Sequence, residues 1–124
     1  MSERLDEVLI DHLISLEGCC ERTMRIGDGK SLEDLLASEV LQLAASMAVA
    51  QIGEVSGRIL KTWPTFAERH PEVELAPALA MRHRLIHVYE QTDLATLWDT
   101  VQTSVPAMLL TIQKIIRESG SVGP

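Results

Sequence analysis

Aromatic side chains are scarce in this chain: two Trp, one Tyr and one Phe among 124 residues, 3% of the sequence. A protein that stacks successive bases of a single strand needs a series of aromatic platforms, and four scattered rings do not make one. Positive charge is also short, with 11 Lys and Arg against 18 Asp and Glu. That balance excludes a nonspecific DNA-duplex binder, whose phosphate neutralisation needs a basic surface. Cysteine is limited to Cys19 and Cys20. Adjacent helical residues do not easily reach disulfide geometry, so both are expected as reduced thiols of a cytoplasmic protein. No metal-ligand spacing is present, and no cofactor is expected. Long apolar runs are missing too. The stretch Leu41 to Ile52 is broken by Gln42, Ser46 and Gln51 and falls short of the ~20 residues a membrane span needs. Glu3, Asp6, Glu7 and Asp11 argue against a secretory leader at the start.

What the chain does have is 46% hydrophobic residues, mostly good helix formers, at a length that suits one domain. Apolar residues at Leu5, Val8, Leu9, Leu13, Leu16, Cys19 or Cys20 and Met24 repeat at three and four, which only a helix gathers on one face. A turn at Gly27-Asp28-Gly29 and caps at Ser31 or Ser38 start a second helix. Its stripe is Val40, Leu43, Met47, Ala50, Val55 and Ile59, and it is expected to reach about Leu60. Trp63-Pro64 breaks the pattern, and residues 64 to 72 read as a loop with at most one helical turn. A third helix starts near Leu75, with Pro77 in its first turn and Leu79, Leu85 and Ile86 buried. Asp93 caps a fourth carrying Leu94, Leu97, Trp98 and Val101. Pro106 either kinks that helix or opens a fifth, which carries Met108, Leu109 and Ile112. Such helices bury their stripes most simply as an antiparallel bundle of four or five, an all-α fold. One domain over residues 1–118 is expected, with 119–124 a frayed tail.

Charge is unevenly spread. Residues 1–57 hold 4 basic and 11 acidic side chains, residues 58–87 hold 5 and 3, and residues 88–124 hold 2 and 4. Three of the four His fall in the basic middle segment, which is where an anionic ligand would meet the chain. The densest polar cluster there is Met81-Arg82-His83-Arg84-Leu85-Ile86-His87-Val88-Tyr89. An Arg and a His five apart arise by chance in about a quarter of chains of this composition; adding the sole Tyr two positions later cuts the expectation to about 0.2%. A solvated helix face remains the plain reading of such a cluster.

Three stretches of this sequence together resemble the minimal HEPN proteins of the HepT type. Met81 to Asp99 is similar to the family's Arg-x4-His-x-Tyr motif followed by an Asp-started helix with a Leu/Val-Trp pair. Ile52-Gly53-Glu54 resembles its Ile-Gly-Glu, and Ser104 to Leu109 its Pro-x-x-Leu. The chain departs from the family at His83, where Asn is usual, and at Val88, where Gly is usual. The resemblance implies a HEPN-like helical homodimer acting as a ribonuclease toxin on RNA. It also implies a partner antitoxin, an MntA-type nucleotidyltransferase that silences the toxin by transferring AMP to the motif tyrosine, here Tyr89.

The residue types suit that chemistry. Metal-independent RNA cleavage uses the ribose 2′-hydroxyl as nucleophile, so protons must move and charge at phosphorus must be stabilised. An imidazole titrates near 6.5 when unperturbed, which fits His87 as the proton carrier. The planar donors of Arg82 match two phosphate oxygens. Five residues turn a regular helix by about 500°, leaving the two side chains about 140° apart; they converge more easily if His87 sits in a last, unwinding turn. The second proton-transfer group is either His87 of a partner chain or His83 of the same one. Glu54 either accepts from a motif Arg or is a surface carboxylate. Against the nuclease stands a noncatalytic bundle that binds a nucleotide or substrate and serves as the helical partner of the nucleotidyltransferase.

Overall fold

The computed structural model describes residues 5–87 and 93–119, and every element among them is helical. Helix α1 spans Glu7–Gly27, α2 Leu32–Ala37, α3 Glu39–Thr62, α4 Pro64–Arg69, α5 Leu75–His87, α6 Leu94–Asp99 and α7 Val105–Glu118. A 3₁₀ turn at Pro71–Val73 precedes α5, and a π-helical turn at Thr100–Ser104 joins α6 to α7.

Short polar side chains set most starts. The Asp6 carboxylate accepts from the amides of Val8 at 2.7 Å and Leu9 at 3.3 Å, relieving two of the unpaired donors that open α1. Ser31 and Asp34 form a reciprocal capping box on α2, and the Ser38 hydroxyl accepts from Leu41 N at 3.1 Å to start α3. Both serines therefore act as caps. Of the two starts open to the helix that runs to about Leu60, Ser38 is the one that opens it as α3, and Ser31 caps the separate short α2, because the Ser38 backbone is extended (φ −128°, ψ 109°) and interrupts the helix there. Residues 64–72, expected as a loop with a turn of helix, hold the six-residue α4 and the 3₁₀ turn, each opened by a proline whose missing amide costs nothing there.

Helix α3 packs against both α1 and α5, and α7 lies along α1. The larger core joins Leu9, Leu13 and Leu16 of α1 to Ile52, Val55 and Ile59 of α3 and to Met108 and Ile112 of α7. A smaller one joins Leu35, Ala45 and Val49 to Met81, Leu85, Leu97 and Val101. Trp63 and Trp98 pack at the edges of these clusters as partly buried residues.

The face of α3 that goes inside is not the expected one throughout. Val40, Leu43 and Met47 are 78%, 52% and 62% exposed, and Ile86 of α5 is 49% exposed. The first half of α3 is apolar nearly all round, so spacing alone does not choose a face. The Ala-rich side, Ala45, Ala48 and Val49, is buried instead, because small side chains let neighbouring helices come closer. Val8, expected in the α1 stripe, is also exposed.

Pro106 stands in the first turn of α7, as expected of a proline that opens a helix, but α7 follows the π-helical turn with no side-chain cap. The amide of Val105 reaches back five residues to Thr100 O, the π-helical register. No α-helix bond can come from the proline, which has no amide hydrogen. Helix α7 ends at Glu118, where the buried Ser119 donates its hydroxyl to Ile116 O at 2.9 Å. Among the described residues no helix is long and apolar enough to cross a membrane.

Candidate active site

Arg82 and His87 of the motif sit on the second half of α5, which runs antiparallel to α3: Gly57 lies opposite Leu79, and Gly53 opposite Ala78 and Arg82. Gly53 fixes the spacing. A β-carbon built on it would stand 2.5 Å from Arg82 Cβ and 2.6 Å from Ala78 O, well inside van der Waals contact. The glycine of Ile52-Gly53-Glu54 thus lets α5 close on α3 at the residue that carries the motif arginine. Arg82 is half-buried in that seam, and no hydrogen bond or ion pair engages its guanidinium among the described residues.

His87 is the last residue of α5. Tyr89 lies outside the described residues. His83 is exposed and takes part in an interaction of its own.

Glu54 is exposed on the outer face of α3 and accepts from Arg58 at 3.0 Å, one turn along the same helix. The pairing joins two well-solvated groups and adds little to stability. On the same face Gln51 accepts from Arg22 of α1 at 2.9 Å. The outer surface of α3 is therefore polar from Gln51 to Arg58 and apolar from Val40 to Met47. Ile86, one turn beyond Arg82 on α5, is exposed as well. That exposed row went unrecognised in the sequence as a surface. Its signal is that Val40, Leu43 and Met47 recur on one side while the alanines that also fit a stripe recur on another.

The remaining histidines have structural surroundings. His12 Nδ1 lies 2.9 Å from Val8 O, and its ring meets Trp63 edge-on with centroids 5.1 Å apart. His70 rests on Phe66 and contacts the Glu72 carboxylate at 3.1 Å. Cys19 is half-buried and Cys20 buried, both unbridged. Burial pushes the Cys20 thiol up to about 12, with Cys19 and nearby carboxylates adding to it, so it does not serve as a thiolate nucleophile near neutrality. Among the described residues no three His, Cys, Asp or Glu side chains converge as a metal site would require.

Residues 16–115 match the family Ribonuclease HepT-like. A Thermococcus cleftensis protein named as probable ribonuclease HepT is 34% identical over 83 residues, 67% of this chain and 73% of its own length. A Caldanaerobacter subterraneus protein named provisionally as an RNase is 27% identical over 99 residues, 80% of this chain and 86% of its own. A Methanocaldococcus jannaschii protein, likewise named provisionally as an RNase, is 27% identical over 86 residues, 69% of this chain and 72% of its own. No solved structure matches the chain at a significant level.

Proposed function

This chain belongs to the HepT-like ribonuclease family, and from that premise we propose that it is a metal-independent endoribonuclease, the toxin of a toxin–antitoxin pair, with Arg82 and His87 as its working groups. The observation that carries the reading is the seating of Arg82. Gly53 brings α3 against its β-carbon, while the guanidinium has no partner among the described residues and is available to an RNA phosphate.

In this reading the Arg82 fork binds two nonbridging phosphate oxygens and stabilises the charge that grows on them in the transition state. His87 takes the proton of the ribose 2′-hydroxyl as that oxygen bonds to phosphorus, and a protonated imidazole gives a proton to the departing 5′-oxygen. The second imidazole comes from a homodimer partner's own copy of the motif, with His83 as the same-chain alternative. Glu54, the accessory orienting candidate, would have to leave Arg58 to engage a motif arginine. The exposed apolar side chains Val40, Leu43 and Met47 of α3 and Ile86 of α5 support the dimer, since apolar surface of this kind marks association.

Silencing falls to Tyr89. A partner nucleotidyltransferase of the MntA type would join the tyrosine oxygen to the α-phosphorus of ATP, with pyrophosphate leaving. The resulting AMP ester, two residues from His87, would place an anion where Arg82 meets phosphate and so exclude RNA.

The test is RNA cleavage by the purified protein with a chelator present. Arg82→Lys keeps the charge but loses the fork, so cleavage falls by about 10²-fold or more while RNA binding changes little; His87→Gln abolishes turnover. A wild-type protein that binds without cleaving would support the noncatalytic partner instead. Peptide mass spectrometry after incubation with the nucleotidyltransferase, ATP and Mg²⁺ finds the added AMP on Tyr89; an adduct elsewhere overturns the silencing step.

A further inference from the structure

Two positions beyond Arg82, α5 carries a second arginine that faces another part of the molecule. Residues two apart on a helix are turned by about 200°, which leaves their side chains about 160° apart, and Arg84 lines a cavity of about 240 Å³ bounded by α5, α3 and the run from α6 to α7. The cavity is a slot. Helix α5 packs on α3, and the run from α6 through α7 faces it across a gap floored by Val49 and Ile52 of α3. One wall is Glu74, Pro77, Ala78, Met81 and Arg84. The other presents Thr96, Thr100, Ser104 and Met108, four residues apart through the π-helical turn.

The chemistry of the slot is directional. Glu74, the residue just before α5, and Arg84 are ten residues apart, about 15 Å at the helical rise, and the lining between them on that wall is Pro77, Ala78 and Met81. The Arg84 guanidinium has no hydrogen bond or ion pair among the described residues. The hydroxyls across from it are already donating: Thr100 to Thr96 O at 2.9 Å, and Thr96 to the Asp93 carboxylate at 2.9 Å. Asp93 is itself engaged in capping α6 through Ala95 N. Arg84 is therefore the unengaged donor at its end, and the carboxylate of Glu74 stands at the other.

We propose that this slot binds a single-headed aliphatic carboxylate, its head on Arg84 and its chain lying over Met81 toward Glu74. A volume of about 240 Å³ drawn out along 15 Å is roughly one methylene chain wide, and that length suits about ten carbons. Apolar walls supply burial for the chain and the one charged donor orients it, the usual division in a small-ligand site. Glu74 selects against a second anionic head. The proposal stands apart from the nuclease reading and does not need it.

Methionine methyl NMR tests it, because Met81 and Met108 line the slot while Met47 is exposed on the far row and Met24 packs in the larger core. Titration with decanoate shifts the Met81 and Met108 methyl signals in a saturable way and leaves Met24 and Met47 in place. Arg84→Gln, a surface change, weakens decanoate roughly tenfold or more, the loss expected for one charge-assisted pair. Decylamine does not bind, and decanedioate binds more weakly than decanoate. Unmoved Met81 and Met108 signals at millimolar decanoate would overturn the proposal. So would equal binding of decylamine, or of decanoate by Arg84→Gln, since the slot would then be an apolar crevice without a reader for the head group.

Discussion

Gly53 and Gly18 are the same residue type in two different physical situations. A methyl group on Gly53 meets Arg82 Cβ and the Ala78 carbonyl, whereas one on Gly18 in the middle of α1 meets nothing within 4 Å. Gly53→Ala should therefore destabilise the fold by about 1–3 kcal/mol, as overpacked cores do. It should also lower RNA cleavage beyond what stability accounts for, because α5 must move away with its arginine. Gly18→Ala should stabilise by roughly 0.4–1 kcal/mol by restricting the unfolded chain. Denaturant unfolding of both variants, with cleavage measured where each is fully folded, checks the pair. At this scale the sequence was informative about identity and less so about partners. Arg82 and His87 stood out in the sequence by their unusual spacing and Gly53 by the Ile-Gly-Glu it sits in; the working roles of the first two belong to the proposal. That Glu54 bonds Arg58 was not, since an acceptor on α3 has reachable donors both one turn along its own helix and across the seam, and only geometry chooses.

Helix starts were the most legible elements because each depends on one or two local side chains. Asp6, Ser31, Ser38 and Asp93 all cap as short polar residues do. Faces and junctions were less so. The buried side of α3 is decided by which neighbours come close, and the π-helical turn before Pro106 by how the backbone re-pairs across several residues; neither is a local property. The caps carry a pH signature. Hydrogen bonds from Thr96 and the Ala95 amide hold the Asp93 carboxyl below its ordinary value, and those from the Ser31 amide and hydroxyl do the same for Asp34. A carboxylate with a depressed native pKa stabilises the fold above its unfolded value and ceases to do so as pH falls through the native one. The N-termini of α2 and α6 should then loosen together below about pH 4. Amide hydrogen exchange should rise there at Asp34, Ala95 and Thr96, and Asp93→Asn, which caps without titrating, should remove the pH dependence at α6 alone.

The whole molecule leaves Val40, Leu43, Met47 and Ile86 exposed on α3 and α5, the two helices that meet at Gly53 and Arg82. Exposed as they are, these side chains contribute little to the protomer's own core. Leu43→Glu with Met47→Glu should leave thermal unfolding of the protomer nearly unchanged, convert a dimer to a monomer in light scattering, and remove RNA cleavage together with the dimer. A dimer that survives both charges would place the contact on another face. The central claim is that two protomers complete one ribonuclease site, each supplying an Arg82 and a His87. Mixing wild-type chains with His87→Gln chains under conditions of subunit exchange, at constant total protein and with chelator present, reads it directly. If both imidazoles serve one cleavage, activity follows the square of the wild-type fraction, about a quarter remaining at equal mixing. Activity that falls only in proportion to the wild-type fraction would mean that each chain cleaves alone and would contradict the shared site.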